Sequence, residues 1–541
     1  MTASFPRTAV ALVLPAMLAL GAGAFCAANA SASNNNSNGQ AEVTQAQNGA
    51  TAHSLRGTTP RPDDFAKGQK LHPMHPLPFL DGPGNPTDGA VQGNSSSSPF
   101  APTFGTGVLG LGNGFSGPQG SFTVNSAPPD TSGAVGATQY VEVVNSGLAV
   151  FDKATKSVVY GPVPTNTLFQ SLGGPCAADN DGDATVVYDK AAGRWVVSQF
   201  AVTAAPYYEC VAVSQTSDAT GSYWLYAFPY GSAFPDYPKM GVWPDAYYET
   251  FNMFNGNTFG GAKLCAYDRA KMLTGAPATQ QCFQLSTSYG GVLPADADGA
   301  TAPPAGSPNY LMNFGTSSLN MWKFHVDWAN TANTTLSSPT SIAVASFATA
   351  CGGGTCVPQS GTRQKLDSLA DRLMYRLAYR NFGGFESLVV SHSVKVGTSS
   401  KNPYTGVRWY EVRSPGTTPV VYQQSTFSPD TTYRWMPSVA MDKLGDMAIG
   451  YSASSSSIYP AIRYTGRLSS DPLNTLQAEA SIIAGGGAQS GSNLARWGDY
   501  TSMTLDPTDD CTFWFANEYE ATTGAFNWST RIASFKFPTC N

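Results

Sequence analysis

A strand-turn-strand unit recurs along this chain at spacings of 53 to 73 residues, and no other feature limits the fold as tightly. Each unit opens on a polar start, runs through a short apolar strand, turns at an aspartate and returns in a second strand rich in aromatic or β-branched residues. Asp183 to Phe200 (DATVVYDKAAGRWVVSQF), Trp435 to Ser452 (WMPSVAMDKLGDMAIGYS) and Trp497 to Tyr519 (WGDYTSMTLDPTDDCTFWFANEY) show it most clearly. Looser copies begin at Asp130, Asp236, Asn309 and Asp371. Repeats of about 40 to 50 residues or slightly more, each holding several strands, mark the blades of a propeller. The expected fold is therefore all-β, a single β-propeller, and the seven starts predict seven blades. Asp189, Asp442 and Asp506 close the first strand of the clearest units, where aspartate caps a turn by accepting from backbone amides ahead of it.

One stretch competes with this pattern. Leu366, Leu369, Leu373 and Leu377 recur at helical spacing, whereas Met374 to Tyr379 alternates like a strand. Its place in the repeat favours the strand. A ring must also be closed, usually by pairing a strand from one terminus with the blade at the other, and Trp528 to Phe537 (WSTRIASFKF) is the candidate.

The N-terminus reads as an export signal. Arg7, an apolar run from Ala9 to Phe25 and the small-x-small site at Ala28-Asn29-Ala30 predict a signal peptide over 1–30. Phe25 stands where a lipid-attachment site before Cys26 needs a small residue, so the mature chain is expected to be secreted and free of an anchor. No later stretch supplies the roughly 20 apolar residues of a membrane-spanning helix. Residues 31–119 are polar and rich in Gly and Pro, which predicts a disordered low-complexity leader ahead of a propeller domain over 120–541. The pair His72 and His75 lies in that leader and reads as solvated linker.

Eight cysteines remain after cleavage, an even number that in an exported chain favours disulfides. Neighbours in sequence suggest Cys176 with Cys210, Cys265 with Cys282, Cys351 with Cys356, and Cys511 with Cys540. Only 12% of the residues are charged and the net charge is −6, which argues against nucleic acid as a partner because no basic stripe meets the phosphates.

In a propeller the residues just before each innermost strand gather at one mouth of the channel. Here those positions hold Asp130, Asp183, Asp236 with Tyr237, Asp371 with Arg372, Arg434 with Trp435, and Arg496 with Trp497 and Asp499. Arginine pairs bidentately with carboxylates, aromatic faces stack on sugar rings, and two carboxylates divide acid and base roles. Asp236, Tyr237, His392 and Asp499 are the candidate catalytic groups. Asp183, Arg372, Arg434, Trp435, Arg496 and Trp497 are the candidate substrate contacts. The competing role for each is structural, since aspartates and arginine–tryptophan pairs also seal blade junctions. Asp179, Asp181 and Asp183 alternate as oxygen ligands of a structural calcium would, but Ala184 and Lys190 stand where a calcium loop has glycine and glutamate. No other cofactor is implied.

PPDTSGAVG (Pro128 to Gly136), FPDYPKMGVWPDAYY (Phe234 to Tyr248), LADRLMYRLAYR (Leu369 to Arg380) and RWGDYTSM (Arg496 to Met503) resemble a group of uncharacterised secreted bacterial propeller proteins, over about residue 120 to the C-terminus. That resemblance implies fold and export but no activity. More distantly the blades look like those of sialidase-like propellers, a likeness of fold alone, because no tyrosine–glutamate pair accompanies the arginines. Nucleophile elbow, phosphate loop, dinucleotide fingerprint and HExxH are all missing from the sequence. The expectation is a carbohydrate-active propeller, glycoside hydrolase or polysaccharide lyase, acting on an extracellular glycan. A non-catalytic glycan- or protein-binding adhesion module is the alternative.

Overall fold

The computed structural model describes residues 39–48, 51–52, 54–60, 69–78, 86–92, 101–397 and 404–541, so the expected signal peptide lies outside the described residues. Antiparallel sheets follow one another in chain order. Their innermost strands are Ser132–Val135, Thr185–Asp189, Phe234–Val242, Leu293–Asp298, Met374–Asn381, Tyr433–Met441 and Ser502–Leu505. Each touches the next, and the last returns to the first, so the strands ring a central axis. The chain is a single β-propeller.

The strands read as near-continuous apolar runs because both faces of each sheet are covered by neighbouring sheets. Along Arg194–Ala201, Trp195 and Val197 feed the core on one side while Val196 feeds the core on the other. This period of two turns one strand into a component of two hydrophobic layers.

Closure follows the expected route. Ser529–Lys536 lies between Phe513–Tyr519 and Thr103–Gly112, antiparallel to both, so a strand from the N-terminal side completes the last sheet. Glu142 braces this seam. Its carboxyl group accepts from the Leu111 amide at 2.7 Å and meets Thr530 Oγ1 at 2.7 Å.

Three expectations change in detail. The unit placed at Asn309 begins one strand earlier, at Leu293–Asp298, with Asn309–Gly315 as its second strand. LPADAD lacks the β-branched and aromatic residues that mark a strand. It is held instead by parallel pairing with Met374–Asn381, which joins a five-strand group and a four-strand group into one nine-stranded sheet. The leader is the second. In its described parts, Glu42–Gln45 and Gln47–Asn48 add to outer sheet edges, Lys70–Leu71 pairs with Ser126–Ala127, and Thr103–Gly112 closes the ring. Sheet edges offer unpaired amides and carbonyls, which order even a polar segment. The third is the pair His72 and His75, which lies against the ring rather than in solvent.

The leucine-spaced stretch is extended, with strands Leu366–Asp367 and Met374–Asn381. Asp189, Asp442 and Asp506 accept from the amides of Ala192, Leu444 and Thr508 as turn caps. All four disulfides form as paired from the sequence: Cys176–Cys210, Cys265–Cys282, Cys351–Cys356 and Cys511–Cys540. They fit a chain that matures in an oxidising compartment. Among the described residues no helix is long and apolar enough to cross a membrane.

Candidate functional site

At one mouth of the ring the backbone takes an unusual path. Asp130, Asp183, Tyr237, Leu369 and Met436 all have φ between 40° and 59°, each at or near the start of an innermost strand. Aspartate tolerates that left-handed region, whereas Tyr237, Leu369 and Met436 are held there at a cost of about 1–3 kcal/mol each, a kind of strain that collects at functional sites. At Tyr237 and Met436 the register slips between Asp236 and Lys239 and between Trp435 and Ser438, which re-aims the side chains toward the axis.

The kinks gather a buried acidic cluster. Asp130 accepts from the Asp499 amide at 2.6 Å and from Asn145 Nδ2 at 2.7 Å, while the Asp183 amide donates to Asn145 Oδ1 at 2.8 Å. Asn145 thus ties Asp130 to Asp183 across a blade junction. Arg496 bonds Asp499 at 2.7 Å and Asp367 at 3.1 Å. Arg372 is paired with Asp371 at 2.8 Å and lies over the Tyr237 ring. Lys239 is fully buried, donates to the Pro238 carbonyl at 2.7 Å and sits between the Tyr237 and Tyr500 rings, 3.6 and 3.5 Å from their centroids.

Burial and crowding split the carboxylates. Burial and Asp236 push Asp183 up to about 7, and burial with Asp499 and Asp183 pushes Asp130 well above the usual range. Burial works against ionised Asp499 too, but Arg496 outweighs it and holds Asp499 below the ordinary value. Burial lowers Lys239 to about 8. Tyr237 and Tyr500 are pushed well above 10 by burial, so both phenols stay protonated.

A stretch of the leader covers this mouth. Arg496 Nε donates to the His72 carbonyl at 3.0 Å, Arg372 Nη2 to the His75 carbonyl at 3.2 Å, and the Leu77 amide to Asp371 Oδ2 at 2.9 Å. His75 Nδ1 stands 3.5 Å from Asp236, whose carboxylate raises the imidazole above its ordinary value, whereas burial lowers His72 to about 3 and keeps it neutral.

No family model matches this chain. No curated protein matches it either. Among solved structures, the N-terminal domain of Nup159 is 8% identical, with 82% of this chain and 99% of that chain covered at a TM-score of 0.36. The WD40 domain of SCAP from fission yeast is 10% identical, with 75% and 81% covered at 0.32. The exo-β-1,3-galactanase 1,3Gal43A from Clostridium thermocellum is 11% identical, with 78% and 88% covered at 0.29. Likenesses this distant say nothing of activity, and the resemblance to secreted bacterial propellers rests on the four motifs alone.

Those motifs do share a place. They carry Asp130, then Asp236, Tyr237 and Lys239, then Asp371 and Arg372, then Arg496, Asp499 and Tyr500, and the ring brings all four stretches to one mouth. Trp435 and Trp497 join them below, in an apolar plug with ring centroids 5.7 Å apart; the Trp497 indole donates to Ser452 Oγ at 3.1 Å.

Three expected contributors stand elsewhere. His392 is fully buried between Phe314, Phe347 and Tyr410, bonded to the Tyr410 hydroxyl at 2.9 Å and held neutral by burial. It lies on the second strand of its group, facing a neighbouring group rather than the axis. Arg434 points into a blade junction, where Glu479 takes it in a two-point pair at 2.9 Å and Asp430 adds a contact at 3.0 Å. The run Asp179, Asp181 and Asp183 builds no cage. Asp181 accepts from Lys70, the Val202 amide and Thr203, while Asp183 turns toward Asp130. Among the described residues no three His, Cys, Asp or Glu side chains are disposed to hold a metal.

Lys239 is what sequence reasoning missed. Its signal was its place one residue after Pro238 in FPDYPKMG, inside a motif already singled out. The opposite mouth holds a cavity of about 390 Å³ lined by Tyr188, Trp243, Pro244 and Pro303. The charged groups there are spent on one another: Arg269 pairs with Asp189 at 2.6 Å and Arg380 with Asp510 at 2.6 Å.

Proposed function

We propose that this chain is a secreted, seven-bladed carbohydrate-active propeller and that the acidic mouth hydrolyses a neutral glycan. The observation that carries the reading is the split between Asp183 and Asp499, two carboxyl groups of one buried cluster driven in opposite directions by their surroundings. Pairs separated in this way divide the work of glycoside cleavage. Asp183, protonated up to about pH 7, is the acid that delivers a proton to the leaving oxygen. Asp499, kept ionised by Arg496, is the base or nucleophile on the other side.

Charge favours a neutral substrate. Arg372 and Arg496 are already balanced by Asp371, Asp367 and Asp499, so what they offer a ligand is hydrogen bonds to neutral oxygens. A lyase needs a free cation for the uronate and a base near neutrality. Arg434 is occupied by Glu479, Tyr237 stays protonated, His392 lies outside the mouth and Lys239, lowered to about 8, is enclosed between the Tyr237 and Tyr500 rings, so hydrolysis has the stronger support.

The test is release of reducing ends from a panel of neutral and acidic polysaccharides by the parent chain and by Asp183→Asn and Asp499→Asn, with strap-loosened forms included. Cleavage of a neutral glycan that both substitutions abolish supports the reading. Products absorbing as unsaturated uronates would replace it with a lyase, and saturable binding without turnover would replace it with an adhesion module.

A further inference from the structure

We propose that Lys70 to Leu77 is a built-in strap that occupies the oxygen-binding positions of the mouth and keeps it closed until it is displaced. The inference rests on the reading of the mouth as a glycan site, and the test below separates the two.

Beyond a short pairing with Ser126–Ala127, the polar holds on the strap come from residues of the mouth or its rim. Arg496 and Arg372, from two different blades, each donate to a strap carbonyl, the oxygens of His72 and His75. These are neutral acceptors, the same chemistry that sugar hydroxyls would present. Asp371, the partner of Arg372, receives the Leu77 amide, and Asp236 faces His75. At its start the strap runs parallel to Ser126–Ala127, with the His72 amide donating to the Ala127 carbonyl at 2.8 Å and Lys70 reaching Asp181 at 3.2 Å.

The arrangement is short and mostly main-chain. Two residues of sheet, two arginine bonds, the Leu77 amide on Asp371, His75 against Asp236 and the Phe234 and Phe254 rings, and one exposed ion pair at Lys70 hold it, against whole strands elsewhere in the ring. A segment paired over two residues and otherwise held by single contacts, with His72 and Leu77 buried, opens at lower free energy than the many-stranded fold around it. While it is seated, Asp183 and Asp499 are 6% and 9% exposed, too little for a sugar to reach them.

The test compares the full chain with Lys70→Glu/Leu77→Pro, which sets like charge against Asp181 and deletes the amide that Asp371 receives. Val43→Pro, in the leader strand on an outer sheet edge, is the control. Hydrogen exchange reports release of the strap, and carbodiimide coupling of glycine ethyl ester, read by mass spectrometry, reports access to Asp183 and Asp499. The double variant is expected to exchange at 70–77 and to label at both aspartates about tenfold faster than the parent, and the control to label at the parental rate. Labelling within about twofold of the parent while the strap exchanges freely would overturn the inference. Faster labelling with no reducing ends from any glycan upholds the strap and overturns the hydrolase reading. Should the double variant fail to fold by near-ultraviolet circular dichroism, His75→Ala is read in the same way, with labelling at Asp236.

Discussion

The Nε–H of Arg496 donates to the carbonyl oxygen of His72, 424 residues earlier in the chain, at 3.0 Å. The same guanidinium holds Asp367 and Asp499, so one side chain joins the leader, the acidic cluster and the entry to the last blade.

Arg496→Ala is expected to destabilise the fold by about 3–5 kcal/mol, because it strands two buried carboxylates without their cation. Arg496→Lys recovers only part of the loss, since a single ammonium does not reproduce the fork that serves three acceptors. Urea unfolding of the three chains measures both.

Activity on a glycan substrate is expected to fall above about pH 7, where Asp183 gives up its proton, and to fall again in acid as Asp499 takes one up. Asp183→Asn lowers kcat by about 100-fold or more, since the proton donor is gone. A pH profile of kcat/KM checks the limbs, and an upper limb that survives Asp183→Asn would assign it to another group.

Glu142 makes folding depend on pH. The Leu111 amide and the Thr530 hydroxyl each donate to its carboxyl group at 2.7 Å, which favours the charged form, but burial outweighs both. Burial raises this group from 4.5 to about 7. Its folded value lies above its unfolded one, so its contribution is full below about pH 4.5 and is lost as the pH rises through 7. The loss is about 3 kcal/mol by pH 8. Glu142→Gln, neutral throughout and able to keep Leu111 on its oxygen while its amide donates to Thr530 Oγ1, removes that part of the slope in unfolding measured at about pH 5 and 8.

Gly110 sits on the closing strand where a Cβ would collide with Thr530 Oγ1 and both carboxyl oxygens of Glu142. Gly110→Ala is expected to cost about 1–3 kcal/mol by overpacking the seam. The Gly114→Ala substitution, with open space at its Cβ position but a φ of 83°, is the comparison that isolates backbone strain from collision. Thermal unfolding of the pair reads the difference.

The Cys511–Cys540 bridge closes a loop with a sequence separation of 29 and holds the end of the chain to the last blade. Replacing both cysteines with alanine is expected to cost about 3 kcal/mol through the freed unfolded chain. The melting temperature of the variant against that of the parent measures it.

Much of the ring was legible because its cues are local. Alternating apolar residues, aspartate-capped turns and neighbouring cysteines act within a few residues, so the strands around Asp189, Asp442 and Asp506 and all four disulfides were readable in order. The convergence of Asp130, Asp183, Asp236, Arg372, Arg496 and Asp499 was readable as well, since each precedes an innermost strand and a ring gathers such positions. Leu293–Asp298 was not, because its strand character comes from a neighbour 82 residues away rather than from its own side chains.

The sequence by itself determined the all-β class, the order of the units, the disulfide pairs and the residues that meet at one mouth. Only the tertiary structure decided that Arg434 and His392 are spent inside blade junctions, that Lys239 lies among the aspartates, and that a polar leader seats itself across the mouth. These outcomes turn on which partner reaches a group first. Burial and charge act through space between residues hundreds of positions apart, and no local pattern records them.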